Sequence, residues 1–333
     1  MSLRLIEVIF PVDRLQEFTN LMNKQEVFGI WTTELGEEQA IVRVLVPLKM
    51  TETVTDVINQ HFEHSQDFRL MLFAVEATVP VPEEETKEPS EEESDEKEKQ
   101  PERISREELY QDIATGAHLN VTYVVTVLLS TIVAAIGILR NDVAIIIGAM
   151  VIAPLLGPNV ALALGSTLGD VSLISRATRT LLVGIGAAAA ASVFIGLITE
   201  VNPDIPAILN RTRGTVADMI LALVAGSAGA LAFTSGIPAA VIGVMVAVAL
   251  LPPLVITGLL LGSGYYSLAM GSLILLMTNV ASINLSGVIT FFVQKIRPRS
   301  YWEAEGAKKA TRTALIGWIL TLVFILVMIF VVD

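Results

Sequence analysis

The hydrophobic and polar positions follow different patterns on the two sides of residue 120. Beyond it, apolar runs of about 18 residues or more succeed one another, which is the length an α-helix needs to cross a bilayer. The sequence therefore predicts a polytopic α-helical membrane domain over residues 120–333. Its spans are expected at residues 120–139, 142–169, 179–199, 215–235, 237–262, 266–294 and 310–332.

Residues 1–80 contain shorter segments in the order strand, helix, strand, strand, helix, strand. This order predicts an α+β ferredoxin-like domain. Alternating or β-rich runs mark the strands Leu3–Phe10, Val27–Glu34, Gln39–Val46 and Phe68–Val79. Apolar residues at helical spacing mark the two helices: Leu15, Phe18 and Met22 in the first, and Val54, Val57, Ile58 and Phe62 in the second.

An acidic segment separates the two regions. Residues 81–104 contain almost nothing apolar, so they cannot bury enough surface to offset the entropy of ordering, and we expect a disordered linker. A capping box at Ser105–Glu108 then predicts an amphipathic helix within residues 105–119, lying at the membrane surface.

The membrane domain contains an internal repeat. Residues 147–174 align without a gap with residues 242–269, and the identical pairs include Gly148/Gly243 and Pro158/Pro253. The same shift of 95 residues superposes 120–199 on 215–294 and leaves 310–332 as an extra C-terminal helix. Prolines interrupt the middle segment of each copy, so we expect two broken helices, whose freed backbone groups must face protein or a water-filled cavity.

Two topologies fit this repeat. If each broken segment crosses the bilayer, the two copies are inverted relative to one another; if each is re-entrant, the copies are parallel. Counting positive charges does not separate them, since each leaves three arginines outside. Both place the N-terminus and the basic cluster between Lys295 and Arg312 in the cytosol, and we favour crossing segments.

Polar residues deep in the spans are uncharged. Interhelical hydrogen bonding and a solute-lining surface both explain Asn279, Ser282 and Ser286, which share one helical face. We expect a substrate pathway near the middle of the bilayer, formed where the two breaks meet. Its predicted residues are Pro154, Gly157, Pro158, Asn159, Pro252, Pro253, Asn279, Ser282 and Ser286.

Ionisable residues near the spans have simpler explanations. Asp142 and Asp218 stand at helix beginnings and Asp170 follows the first broken segment, so all three are interpreted as helix-end anchors. His61 and His64 have a spacing that suits a metal, but we interpret them as partly buried residues that flank the core. No catalytic, metal or cofactor site is predicted.

Composition and charge narrow the classes further. The chain has no cysteine, which excludes disulfides and thiolate chemistry. The net charge of −12 misleads, because residues 83–102 alone hold eleven acids. No phosphate-binding loop, nucleophile elbow or zinc-binding helix motif is present. The sequence therefore argues against an enzyme, and we expect no nucleic-acid partner.

One family resemblance rests on the first broken segment. The run from Gly148 to Pro158, GAMVIAPLLGP, behind a ferredoxin-like domain, resembles the "uncharacterised hydrophobic domain" family of bacterial and archaeal membrane proteins. The second copy departs from it, with Ala249 in place of the first proline and Pro252 in place of the glycine. The resemblance implies architecture and no biochemical activity.

Two functional hypotheses follow. The first is a channel or secondary transporter in the inner or plasma membrane, a homo-oligomer that moves a small anionic or neutral solute under control of the cytosolic domain. The second is a membrane sensor or scaffold that does not transport, whose ferredoxin-like domain binds a ligand or partner.

Overall fold

A computed structural model describes residues 3–36, 38–63, 68–76, 78, 104–236, 239–296 and 301–332 of the chain. Contacts between Cα atoms divide the chain into two compact units, Met1–Leu109 and Tyr110–Asp333. The residues predicted as the acidic linker lie outside the described residues as far as Arg103.

The first unit is built on a four-stranded antiparallel sheet. Its strand order is β2-β3-β1-β4, which confirms the ferredoxin-like fold. The predicted fourth strand was too long: it ends at Val75, the partner of Leu3, where its ladder with β1 ends. The elements are β1 Leu3–Pro11, α1 Leu15–Met22, β2 Gly29–Leu35, β3 Gln39–Pro47, α2 Thr51–Phe62 and β4 Arg69–Val75.

The core of this unit lies between the sheet and the two helices. The rings of Phe10, Phe18 and Phe62 pack with their centroids 5.0–5.4 Å apart. His61 does not flank this core as predicted; it is exposed, and its Nδ1 lies 2.9 Å from the carbonyl oxygen of Val57. His64, the second residue of the alternative metal pair, lies outside the described residues.

The second unit is helical. α4, α7, α9 and α11 are long and apolar enough to cross a membrane, and α5 and α6 together form a candidate span that is bent by 53°. The helices are α3 Arg106–Gly116, α4 Val121–Leu139, α5 Val143–Ile152, α6 Leu156–Leu168, α7 Val171–Ile198, α8 Pro206–Leu209, α9 Val216–Thr234, α10 Ala239–Gly262, α11 Tyr266–Val293 and α12 Tyr301–Val332. Among the described residues, these helices confirm a polytopic α-helical membrane protein.

The structure extends one predicted span. α7 begins at Val171 rather than at residue 179, because the side chain of Asp170 caps it and accepts a hydrogen bond from the backbone N–H of Leu173. Arg176 and Arg179 lie exposed in its first turns. The N-terminal end of α7 therefore lacks the apolar run from which a membrane span is predicted. At 1.5 Å per residue the helix is about 42 Å long, which exceeds a hydrocarbon core of about 30 Å.

The helix bounds repeat with the predicted offset. α4 and α9 both contain 19 residues, α7 and α11 both contain 28, and each second helix starts 95 residues after the first. The packing is reciprocal as well: α6 packs against α7 and α11, while α10 packs against α11 and α7. Each copy therefore lays its middle segment across the last helix of the other copy.

Matching small residues make these two crossings. A Cβ atom at Gly258 of α10 would lie 2.6 Å from the Cβ of Ser192, and one at Gly287 of α11 would lie 2.9 Å from the Cβ of Ala163. A shift of 95 residues converts Ala163 into Gly258 and Ser192 into Gly287. The same close approach thus occurs twice. The glycine lies on the middle segment, α10, in one crossing and on the last helix, α11, in the other.

Only the first middle segment is broken in the way that the sequence predicted. α5 ends because the residue before Pro154 is held extended, with Ala153 at φ −67° and ψ 118°. In the second copy Ala249 replaces Pro154, and α10 continues as one helix that contains Pro252 and Pro253. The prediction of a second broken helix was therefore wrong.

Candidate functional site

The centre of α11 carries the largest group of buried polar side chains that the sequence pointed to. Asn279 is the fourteenth of its 28 residues. Asn279, Ser282, Asn284 and Ser286 are at most 4% exposed, so each polar atom must find a partner within the protein or in a bound molecule. Asn279 and Asn284 belong to two separate hydrogen-bonded clusters.

The first cluster, the α10 cluster, comprises Asn279, Ser272, Thr257, Pro253 and the carbonyl of Ala249. Nδ2 of Asn279 donates to the carbonyl oxygen of Ala249 at 2.7 Å. That carbonyl lies four residues before Pro253, which has no N–H to complete the helical bond. The side chain of Asn279 replaces the missing donor, which explains how α10 stays helical at this proline.

The carbonyl of Pro253 is bound from two sides. Oγ of Ser272 on α11 donates to it at 2.9 Å, and Oγ1 of Thr257 donates from the next turn of α10 at 2.7 Å. The sequence analysis did not include Ser272. It lies seven residues before Asn279, as Ser286 lies seven after, so extending the polar face by two turns would have found it.

The second cluster, the α6 pair, is made by Asn159 and Asn284. Nδ2 of Asn284 donates to Oδ1 of Asn159 at 3.0 Å and to the carbonyl of Val280 at 2.9 Å. Nδ2 of Asn159 donates in turn to the carbonyl of Leu155, at 2.8 Å, next to the bend between α5 and α6.

Asn284 was also missed by the sequence analysis. It lies five residues after Asn279, which places it about 140° around the helix from the face of Asn279, Ser282 and Ser286. Asn159 therefore binds Asn284, whereas Asn279 binds Ala249 from another face of α11.

Three buried side-chain oxygens of α11 have no hydrogen-bond partner among the described residues. They are Oδ1 of Asn279, Oδ1 of Asn284 and Oγ of Ser282. Ser286 differs, because its Oγ donates to the carbonyl of Ile283 at 3.1 Å and lies against Gly226 of α9. Of the predicted face, Asn279 and Ser282 therefore keep hydrogen-bonding capacity for another molecule.

The other predicted residues have structural surroundings of their own. Gly157 lies against Gly116 of α3, and a Cβ there would lie 3.0 Å from the Cα of Gly116. Its small size therefore allows α3 to approach α6. Pro158 and Pro252 are buried, and Pro154 is half-buried at the bend.

The three acids near the spans do cap helices. Asp142 accepts hydrogen bonds from the N–H groups of Ala144 and Ile145, at 3.0 and 3.2 Å, and Asp218 forms a capping box with Thr215. These contacts confirm the interpretation of Asp142 and Asp218 as helix-end residues.

Asp170 makes an additional contact. Besides capping α7, it accepts a 2.7 Å hydrogen bond from the hydroxyl of Tyr110 on α3. Burial raises the pKa of Asp170, but the hydrogen bonds from Tyr110 and from the backbone of Leu173 and Ser172 outweigh it. The pKa of this carboxyl therefore lies below its ordinary value.

The chemistry available at the centre is hydrogen bonding and coordination by neutral oxygen. α10 and α11 contain no charged residue. Among the residues that the structure describes, no three His, Asp or Glu side chains come close enough to hold a metal ion together. The buried groups can bind a small polar or ionic species, but they offer no acid or base.

Fold and site together define a polytopic helical membrane protein with a ferredoxin-like N-terminal unit and a twice-used three-helix arrangement. The chain matches the family described as "Domain of unknown function (DUF389)" over residues 150–285. It is 34% identical over 336 residues to the uncharacterized protein MJ0678 of Methanocaldococcus jannaschii, and the match covers 99% of each chain. The chain belongs to this family of uncharacterised membrane proteins. No solved structure is matched significantly.

Proposed function

We propose that the membrane unit is a channel or secondary transporter for a small solute. The observation that carries this proposal is the set of buried, unpartnered polar atoms at the centre of α11, beside the proline turn of α10. Discontinuous or proline-containing helices at the middle of a repeat are the usual solute sites of transporters.

Energetics favour transport over anchoring. Each buried polar group without a partner costs about 1–3 kcal/mol, and a scaffold gains nothing from the unpaired oxygens of Asn279, Ser282 and Asn284 at the centre. A solute or water along a pathway provides the missing partners. The alternative, a sensor or scaffold, draws support from the structural bond between Asn279 and Ala249, which glues α11 to α10.

The direct test is flux through purified protein in liposomes, screened over ions and small metabolites. We expect Asn279→Leu to abolish or alter flux, because it removes the unpartnered Oδ1 from the pathway. A suitable control is Thr180→Val, which removes another buried bond, from Oγ1 of Thr180 to the carbonyl of Ala117, far from α11 in sequence. Each should lower stability by about 1 kcal/mol. Normal flux through a destabilised Asn279→Leu protein would favour the scaffold.

We further propose that the protein lies in the inner or plasma membrane. Its two copies are inverted relative to one another, and its N-terminus lies in the cytosol. Because the natural chain has no cysteine, a single introduced cysteine can be labelled without background from other thiols. With crossing middle segments, a cysteine at Asp204 is labelled by an impermeant thiol reagent from outside and one at Ser235 is not. The re-entrant arrangement gives the opposite pair of results.

The proposal also covers the ferredoxin-like unit and the oligomeric state. The ferredoxin-like unit regulates the membrane unit, the protein acts as a homo-oligomer, and no catalytic step is involved. These assignments follow from the sequence hypotheses. Cross-linking in membranes and flux measured after deletion of residues 1–80 test them.

A further inference from the structure

The orientation of the buried amides is determined by their partners. The carbonyl of Ala249 can only accept, so the atom of Asn279 that faces it must be Nδ2, and Oδ1 points away. The same reasoning applies to Asn159 against the carbonyl of Leu155 and to Asn284 against that of Val280. The free ends of Asn279 and Asn284 are therefore both hydrogen-bond acceptors.

Asn279 and Ser282 can act on one ligand. They lie three residues apart, which places their Cβ atoms about 5–6 Å apart on one face of α11. Both are buried, and neither Oδ1 of Asn279 nor Oγ of Ser282 binds any group among the described residues. A hydroxyl can turn its lone pairs toward a ligand, so the two oxygens can coordinate the same species.

The charge of the surroundings limits what that species is. Oδ1 of Asn279 can only accept hydrogen bonds and therefore repels an anion, and no cationic side chain on α10 or α11 would balance an anion's charge. A divalent cation requires carboxylates, which these helices also lack. Neutral amide, hydroxyl and carbonyl oxygens suit a monovalent cation, whose hydration shell they replace.

We propose that Oδ1 of Asn279 and Oγ of Ser282 form part of a monovalent-cation site at the centre of α11. This inference rests on the proposed transport function and names the class of its solute or co-transported ion. It differs from the sequence-based expectation of a small anionic or neutral solute.

The other copy of the repeat argues against a role of Asn279 and Ser282 in helix association alone. At the positions that correspond to Asn279 and Ser282, α7 has Gly184 and Ala187. The corresponding helix of the first copy thus has no polar group there, although it also packs against the middle segments of both copies. The hydroxyl of Ser282 is therefore not required by the packing, and Asn279 needs only its Nδ2 for the structural bond to Ala249.

The experiment measures cation-dependent stability of the full-length protein. Protein purified in choline chloride is titrated with NaCl, KCl or NH4Cl at constant ionic strength, and the thermal midpoint is recorded. Binding to the folded state raises the midpoint with concentration. We expect Ser282→Ala to raise the half-maximal cation concentration about three- to tenfold, the effect of one lost ligand bond.

Two features make Ser282→Ala a clean variant. It installs the residue that the first copy already has at Ala187, and it removes a hydroxyl that has no partner among the described residues. Stability in choline chloride should therefore be unchanged or slightly higher. The matched control is Ser130→Ala on α4, a buried serine bonded within its own helix, for which the second copy already has Ala225.

The outcomes separate this inference from the proposed function. Equal midpoints in choline and in all three test cations would overturn the cation site, and solute flux in the same preparation would still support transport. An unchanged cation response in Ser282→Ala, or the same loss in Ser130→Ala, would also overturn it. A cation response without any flux would retain the site and reject transport.

Discussion

The two copies of the repeat share a backbone plan but differ in chemistry at its centre. α7 has Gly184 and Ala187 where α11 has Asn279 and Ser282, although the two helices have the same length and cross the same kind of partner. Small residues at the crossings suffice to set the packing. The free oxygens of Asn279 and Ser282 take no part in this packing, which is why we assign them to function.

The prolines show the same contrast. In the first copy Pro154 ends α5 and the chain bends by 53°, whereas in the second copy α10 continues through Pro252 and Pro253. A proline within a helix leaves the carbonyl four residues earlier without a donor. Asn279 supplies that donor to Ala249 from a neighbouring helix. This tertiary contact keeps α10 helical at a proline that the local sequence predicts to break it.

The largest effect is expected at the crossing of α7 and α10. Gly258→Ala places a methyl group in contact with Oγ and 2.6 Å from Cβ of Ser192, and we expect a loss of about 3 kcal/mol. Adding Ser192→Gly should restore most of it, because the pair then matches Ala163 and Gly287 of the other crossing. Denaturant titration in detergent measures both; absence of rescue would contradict the equivalence of the crossings.

A smaller effect should link Asn279 to Pro253. In the natural protein Asn279→Leu leaves the carbonyl of Ala249 without a donor and should cost about 1–2 kcal/mol. In a Pro253→Ala background the backbone N–H takes over that carbonyl, so the same change should cost about 1 kcal/mol less. A double-mutant cycle of unfolding free energies measures the coupling, and additive effects would show that Asn279 does not compensate for the proline.

The smallest effect concerns the start of the last helix in each copy. Asp170 caps α7 and binds Tyr110, whereas Tyr265, its counterpart before α11, makes no side-chain cap. Tyr110→Phe should destabilise the protein by about 1 kcal/mol at neutral pH. Tyr265→Phe at the uncapped counterpart is the control and should have no measurable effect.

The pH dependence of this contact has a defined sign. Because the pKa of Asp170 is lowered in the folded protein, its contribution is complete above the unfolded pKa and is lost as pH falls through the folded one. The difference in thermal midpoint between the natural protein and Tyr110→Phe should therefore narrow below a pH of about 4. A difference that stays constant would show that the tyrosine stabilises by packing alone.

The sequence predicted the plan of the molecule well where a repeating pattern carried the information. Alternating and helical periodicities located the ferredoxin-like elements, and the 95-residue shift matched the bounds of α4 and α9 and of α7 and α11. It failed for the charged start of α7 and for the second break. There, a cap at Asp170 and a bond from Asn279 decided the result, and neither appears in local composition.

The candidate site divides in the same way. The sequence by itself determined that Asn159, Asn279 and Ser282 are uncharged polar residues in apolar surroundings, because hydrophobicity is a property of residues and their spacing. Only the tertiary structure decided that Asn159 binds Asn284 on one side of α11 while Asn279 binds Ala249 on the other. The partners of Asn279 and Asn284 lie 30 and 125 residues away along the chain, so the local pattern cannot specify which amide atom stays free to bind a ligand.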